Sequence, residues 1–140
     1  MNIKEKTLVI IKPDGIQKKL IGEIISRIER KGLKITNLKM MRISQELAEK
    51  HYEEHKKKSF FRNLINFITS DSVVVMIVEG EDVISTFRLM MGPTDSRKAA
   101  SGTIRGDYGL NIERNIIHGS DSIKSAKREI SLFFKEEYKE

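Results

Sequence analysis

Two short runs, Thr7-Leu8-Val9-Ile10-Ile11 and Val73 to Val78, are β-branched and almost wholly apolar, and turn or polar residues bound them. Apolar runs of that length without alternation predict strands buried on both faces. Ile21, Ile24, Ile25 and Ile28 instead recur at helical spacing, with Glu23, Arg27 and Arg30 turned outward. This predicts an amphipathic helix that stops at Gly32. Leu33 and Ile35 alternate, and Leu38 and Met40 continue in the opposite phase. A third strand with a bulge near Thr36-Asn37 accounts for the slip.

Ser44 opens a helix running through Leu47 and Ala48 towards His55, and Phe60 to Ile68 reads as another short one. Glu81 to Met91 is expected to be helical, with Val83, Phe87 and Met90 on one face and Arg88 off it. A long connection from Gly92 to Arg114 follows, of a length that is usually functional inside a compact domain. Ile116 and Ile117 read as the buried end of a last strand reaching His118. Ile123, Ala126, Ile130 and Phe133 then mark a final helix behind the cap-type residues Ser120, Asp121 and Ser122. The order β-α-β-α-α-β-α-loop-β-α predicts an α+β fold, a ferredoxin-like split βαβ sandwich. Its four-stranded antiparallel sheet would carry helices on one face. No repeat or linker interrupts the chain, so residues 1–140 are read as a single domain.

Hydrophobic residues make up 39% and charged ones 33% of the 140 residues, a balance that excludes a disordered chain. With no cysteine, thiolate catalysis, disulfides and cysteine-held zinc are excluded. Leu8 to Ile11 is too short for a signal-peptide core and Lys12-Pro13-Asp14-Gly15 ends it, while no stretch reaches a membrane-spanning length. A cytoplasmic location is expected. The net charge of +6 favours anionic partners, although runs such as Lys56-Lys57-Lys58 fit a solvated face equally well.

Candidate chemistry centres on Asn115-Ile116-Ile117-His118-Gly119-Ser120-Asp121-Ser122. A helix N-terminus favours anions, and an imidazole beside one is suited to attack phosphorus. Gly119 would let the backbone approach a ligand closely. The same segment also reads as a capped helix after a strand with an incidental histidine. Lys12, Arg88, Thr94 and Arg105 fall outside the core pattern, and phosphate recognition needs such donors to converge. Neither a Walker cradle, a dinucleotide fingerprint nor a Gly-x-Ser-x-Gly elbow occurs, so side chains would have to hold any phosphate. His51-Tyr52-Glu53-Glu54-His55 matches a zinc-hydrolase pattern, but with no third ligand in sight a solvated helix face is the better reading. Phe60 and Phe61 fit either two core aromatics or one core residue and one at a cleft mouth, stacking on a base.

Lys12-Pro13-Asp14-Gly15, Gly102-Thr103-Ile104-Arg105-Gly106-Asp107 and Asn115 to Asp121 stand in the order and spacing of the nucleoside diphosphate kinases, which the chain resembles over nearly its whole length. The resemblance implies ping-pong transfer of a γ-phosphate from a nucleoside triphosphate to a nucleoside diphosphate, with little base selectivity. It makes His118 the nucleophile, phosphorylated on Nδ1 and oriented by Glu129 with Ser120; Ser122 and Glu129 share a helix face near it. It assigns Lys12, Tyr52, Arg88, Thr94 and Arg105 to the phosphates, Lys12 and Asn115 to the ribose, and Phe60 to the base. Mg²⁺ would travel with the nucleotide, with Asp121 near enough for a water-mediated contact and no protein-held metal. A homo-hexamer or homo-tetramer is implied, and the short tail after Phe134 does not choose between them.

The chain departs from the family where Ser96 and Ser101 replace prolines in the long loop, and Tyr108 stands for a usual phenylalanine. Losing a proline costs roughly 0.4–1 kcal/mol per compatible site, so a less heat-stable assembly is expected. Two other readings belong to different classes. A basic nucleic-acid-binding module of the same fold would carry sheet-face aromatics, which Thr7 to Ile11 and Val73 to Val78 lack; nucleic acid stays a secondary partner at most. A histidine phosphocarrier acting on proteins would need neither Phe60 nor Asn115.

Overall fold

A computed structural model describes residues 4–135. The two apolar runs become adjacent central strands, β1 (Lys4–Ile11) and β3 (Val73–Glu81). β2 (Lys34–Met41) flanks β3 and β4 (Ile117–Gly119) flanks β1, in the order β2-β3-β1-β4 with every pair antiparallel. The intervening helices are α1 (Pro13–Gln17), α2 (Ile21–Arg30), α3 (Gln45–His51), α4 (Phe61–Ile68), α5 (Val83–Met91), α6 (Ile104–Tyr108) and α7 (Ile123–Phe133).

Helices cover both faces of the sheet, which corrects the expectation of one covered face. Alternation along β1 sends Val9 and Ile11 to one side, against Ile24 and Ile28 of α2 and Val83 and Phe87 of α5. Leu8 and Ile10 go to the other, against Ile65 of α4 and Ile130 and Phe133 of α7. A run apolar at every position, such as Leu8 to Ile11 or Val73 to Val78, demands this arrangement, since each buried aliphatic side chain contributes about 1.5–3 kcal/mol that an open face would forfeit.

The bulge falls where the pattern puts it: pairing steps from Ile35↔Val78 to Asn37↔Ile77, leaving Thr36 between. Leu38 and Met40 then face outward on this edge strand, at 50% and 58% exposure. Other boundaries differ. The helix opened by Ser44 ends at His51, followed by a 3₁₀ turn Glu53–His55. Glu81 closes β3 rather than starting α5, and the left-handed Asp82 (φ 51°) makes the corner. Met91 takes the fully buried place beside Phe87, while Met90 is only partly covered. The long connection contains a 3₁₀ turn Ser96–Lys98 and α6. Ser122 is the residue that caps α7, accepting from Ser125 N–H at 3.0 Å.

Arg27 ties that connection to α2. It donates to Glu23 at 2.8 Å, to Asp107 at 2.7 Å and to the Gly102 carbonyl at 3.2 Å. The Ala100–Thr103 turn closes through Thr103 N–H to the Ala100 carbonyl, with Gly102 at φ 97° in its third position. That is the geometry of a type II turn, which favours proline at its second position, here Ser101. The Ser101 N–H has no hydrogen-bond partner among the described residues. Ser101→Pro is therefore expected to stabilise the protein by about 0.4–1 kcal/mol and raise Tm by a few degrees. Thermal unfolding, with oligomer size measured alongside, checks this; an unchanged or lower Tm contradicts it.

Candidate active site

β4 is short, and what precedes it is not strand. Ile116 has φ 73°, and Ile117 N–H reaches back to the Asn115 carbonyl at 2.8 Å, a γ-turn of the strained, left-handed sense. The expectation that Ile116 forms the end of the strand is corrected by this turn. The strain is held by neighbours: Ile116 N–H donates to Asp14 Oδ2 at 2.9 Å, and its carbonyl accepts from Lys12 N–H at 2.8 Å. Pairing resumes at Ile117 opposite Ile11, which sets His118 opposite Ile10. Residues opposite one another in an antiparallel pair share a face, so the imidazole points to the side covered by α3, α4 and α7. Gly119 is required by packing, because a Cβ there would stand 2.9 Å from both Phe87 and Met91, and it also lines the cleft in front of His118.

Glu129 of α7 meets the histidine. Its Oε1 lies 2.9 Å from His118 Nε2 and also accepts from Ser120 Oγ at 2.7 Å. Ser120 is itself fixed, its Oγ accepting from Leu8 N–H and its N–H donating to Thr7 Oγ1. Burial pushes the Glu129 carboxyl up, but the charge and hydrogen bond of His118 outweigh it and hold it below the ordinary range. An ionised carboxylate can only accept. Nε2 therefore carries a proton, and in the neutral imidazole the lone pair is on Nδ1.

A cleft of about 450 Å³ opens in front of His118, and Lys12, Tyr52, Phe60, Arg88, Thr94, Arg105, Asn115, Asp121 and Glu129 all line it. Ser120 sits behind, fully buried. Lys12 is buried and donates to Asn115 Oδ1 at 2.9 Å; burial and the Arg105 charge lower its ammonium to about 8, with Asp14 pulling the other way. Arg105 donates to the carbonyls of Asn115 (3.2 Å), Gly92 (3.0 Å) and Ile117 (2.7 Å). Burial, then the Arg88 charge, lowers it to about 10. A guanidinium has five N–H donors and an ammonium three, so both retain unspent donors. Asn115 spends both amide hydrogens on the carbonyls of Thr94 and Ile112, tying the long loop to the γ-turn and leaving only its oxygen for a ligand. Arg88 is exposed on α5. Burial and the Glu129 charge push the Tyr52 hydroxyl up, so it stays a neutral donor. Phe60 stands at the mouth, 44% exposed, while Phe61 is in the core.

Two participants were not legible as such. Asp14, buried and bonded to Ile116 N–H, belongs to the motif Lys12 to Gly15, but nothing in the sequence marks its carboxylate as the partner of a backbone turn. His51 is buried, which removes the solvated-face reading, and among the described residues the ligand-type atoms grouped with it are those of His118 and Glu129, not of His55. The His51 ring lies edge-on to His118, with centroids 4.8 Å apart. Burial, then the His118 charge, holds it well below the usual histidine range, so it is neutral. The signal available was its spacing: His51 lies three residues after Ala48, on the apolar stripe of α3.

The family model for nucleoside diphosphate kinase matches residues 5–138. A nucleoside diphosphate kinase of Carboxydothermus hydrogenoformans is 61% identical, over 95% of this chain and 89% of its own. One of Saccharolobus islandicus is 56% identical, over 94% and 96%. Among solved structures, the Halobacterium salinarum nucleoside diphosphate kinase in complex with CDP superposes with a TM-score of 0.93 at 51% identity, covering 96% of this chain and 90% of that one. The Aquifex aeolicus enzyme gives 0.91 at 41% identity, covering 94% and 96%. With a cleft of that geometry and relatives this near over almost its full length, the chain belongs to the nucleoside diphosphate kinase family.

Proposed function

We propose that the protein moves the γ-phosphate of a nucleoside triphosphate, typically ATP, to a nucleoside diphosphate in two in-line steps through His118. The observation that carries this is the imidazole held by Nε2 against Glu129, with Nδ1 free in a cleft of unspent cationic donors. In the first step the Nδ1 lone pair forms a bond to the γ-phosphorus. The bond from that phosphorus to the bridging oxygen breaks, and the electron pair leaves on the β-phosphate of the departing diphosphate. The second step reverses the first on another diphosphate. Glu129 and Ser120 keep the ring oriented and support the positive charge it gains. Lys12, Tyr52, Arg88, Thr94 and Arg105 face the phosphates, and little covalent work is left for the protein beyond positioning and charge stabilisation. Lys12 and the Asn115 oxygen serve the ribose. Phe60 offers its face to any base, so base selectivity is low.

Mg²⁺ bound with the nucleotide neutralises phosphate charge. Asp121 suits a water-mediated contact to it: it is exposed at the cleft, and hydrogen bonding with Ser125 holds its carboxyl below the usual range. The protein is further proposed to be cytoplasmic, where its nucleotide substrates are, and to form a homo-hexamer or homo-tetramer. The exposed Leu38 and Met40 on the open edge strand β2 support association; light scattering on the eluted protein reads the size.

Incubation with γ-labelled ATP and then with unlabelled GDP should yield an acid-labile phosphoprotein followed by labelled GTP. His118→Ala is expected to abolish both, by at least about 10³-fold in rate; retained transfer contradicts the mechanism.

Bound phosphates favour the charged form of Lys12, so they raise its pKa above the value of about 8 in the empty cleft. Nucleotide binding should therefore take up a proton above pH about 8, and affinity should fall as pH rises through that value. Calorimetry at about pH 9 in two buffers of different ionisation enthalpy checks this; identical enthalpies contradict it. The empty protein shows the opposite trend, since the unfolded-state value of 10.5 lies above the folded one of about 8. The cost of burying charged Lys12 is full below pH 8 and is relieved as pH rises towards 10.5.

A further inference from the structure

We propose that the cleft also holds a site for a borderline-soft divalent cation, Zn²⁺ in type, built from His51, His118 and Glu129, whose occupancy excludes phosphate from His118. One ring nitrogen of each histidine and one carboxylate oxygen of Glu129 lie within 4.8 Å of one another. Tetrahedral ligands at 2.0–2.1 Å from zinc stand about 3.4 Å apart. The widest gap thus closes by roughly 1.4 Å, within the reach of small side-chain rotations.

His51 makes this more than proximity. It is 4% exposed and lines the cleft, yet its Nδ1 has no hydrogen-bond partner. A buried polar atom without a partner is costly, and a role in binding an ion is one of the few explanations for it. Phosphoryl transfer as derived above gives His51 no task. Its ring plane is fixed by edge contacts to Tyr52, His118 and Phe133, with centroids 4.6, 4.8 and 5.4 Å away.

The donor set has the chemistry of an open zinc site: two imidazoles, one carboxylate and a fourth position facing the cleft. Ser120 supplies the outer support, donating to Glu129 Oε1 at 2.7 Å. Magnesium is a poor match, because it prefers oxygen ligands and retains its waters. The cations Lys12 and Arg128 act on His51, and Arg105 lines the same cleft. They repel a dication, which makes the site exchangeable rather than permanent. Exclusion rests on His118 being the phosphate carrier. A metal shared with Glu129 takes Nε2, the nitrogen 2.9 Å from Oε1, which leaves the ring proton of the neutral imidazole on Nδ1 and no lone pair there for phosphorus. In the phosphoprotein Nδ1 carries phosphate and Nε2 keeps its proton towards Glu129, so no lone pair is left for the metal.

Titration of the nucleotide-free full-length protein with Co²⁺ tests the site. The visible absorption of four-coordinate Co²⁺ should saturate at one ion per chain and vanish on adding Zn²⁺. His51→Gln and His118→Asn should each weaken binding by roughly tenfold or more, and His55→Gln should bind as the parent does. Phosphorylating the protein with ATP and removing nucleotide should release the ion. A six-coordinate spectrum, unchanged binding in His51→Gln, loss only in His55→Gln, or retention by the phosphoprotein overturns the proposal. Should His51→Gln not fold, histidine ring NMR signals of the parent replace it. Zn²⁺ must shift His51 and His118 together, and a shift confined to His55 overturns the proposal. Co²⁺ absorption needs no phosphoryl transfer, so a failed titration leaves the role of His118 in transfer untouched.

Discussion

Everything in the cleft is set by one strained backbone crossing, where Ile116 passes over the start of α1. A β-branched residue in the left-handed region costs on the order of 1–3 kcal/mol. The offset comes from hydrogen bonds: Ile116 N–H to the Asp14 carboxylate, Lys12 N–H to the Ile116 carbonyl, and the Arg105 guanidinium to the carbonyls on either side. These bonds fix where β4 begins. Were Ile116 extended and paired, the register of β4 could slip by one, and a one-residue slip turns every side chain to the other face. His118 would then point at α5, away from Glu129.

The same crossing explains how positive charge is kept available. Lys12 and Arg105 are anchored by an amide oxygen and main-chain carbonyls, not by carboxylates. Neutral anchors position a cation without cancelling its charge. The lowering of both groups by burial and by cationic neighbours records an electrostatic cost that an incoming phosphate would remove. In the same cleft Glu129 has its charge directed at one imidazole edge and one hydroxyl. Negative charge thus lies behind the histidine and positive charge in front of it.

Much of this was legible from residue order. Apolar runs without alternation marked β1 and β3, the phase slip at Thr36 marked the bulge, and the shared motifs brought Lys12, Arg105 and His118 together. Patterns of hydrophobicity describe which residues are buried, and so they treat Ile116 and Ile117 alike. The φ of Ile116 depends on partners about a hundred positions away and leaves no local trace. For the same reason nothing local marks Asp14 as the partner of Ile116, whereas cover on both faces follows from apolar runs that have no polar side. His51 escaped because a histidine in a glutamate-rich stretch resembles surface; its position on the Ala48 stripe was the contrary sign.

The central claim is that the carboxylate of Glu129, by taking Nε2, leaves Nδ1 of His118 as the reacting atom. Phosphorus-31 NMR of the phosphoprotein, prepared from ATP and histidine labelled with nitrogen-15, reads the site of attachment directly through its phosphorus–nitrogen coupling. A single phosphate on Nδ1 of His118 is predicted. Phosphate on Nε2, or on any other residue, would contradict the account.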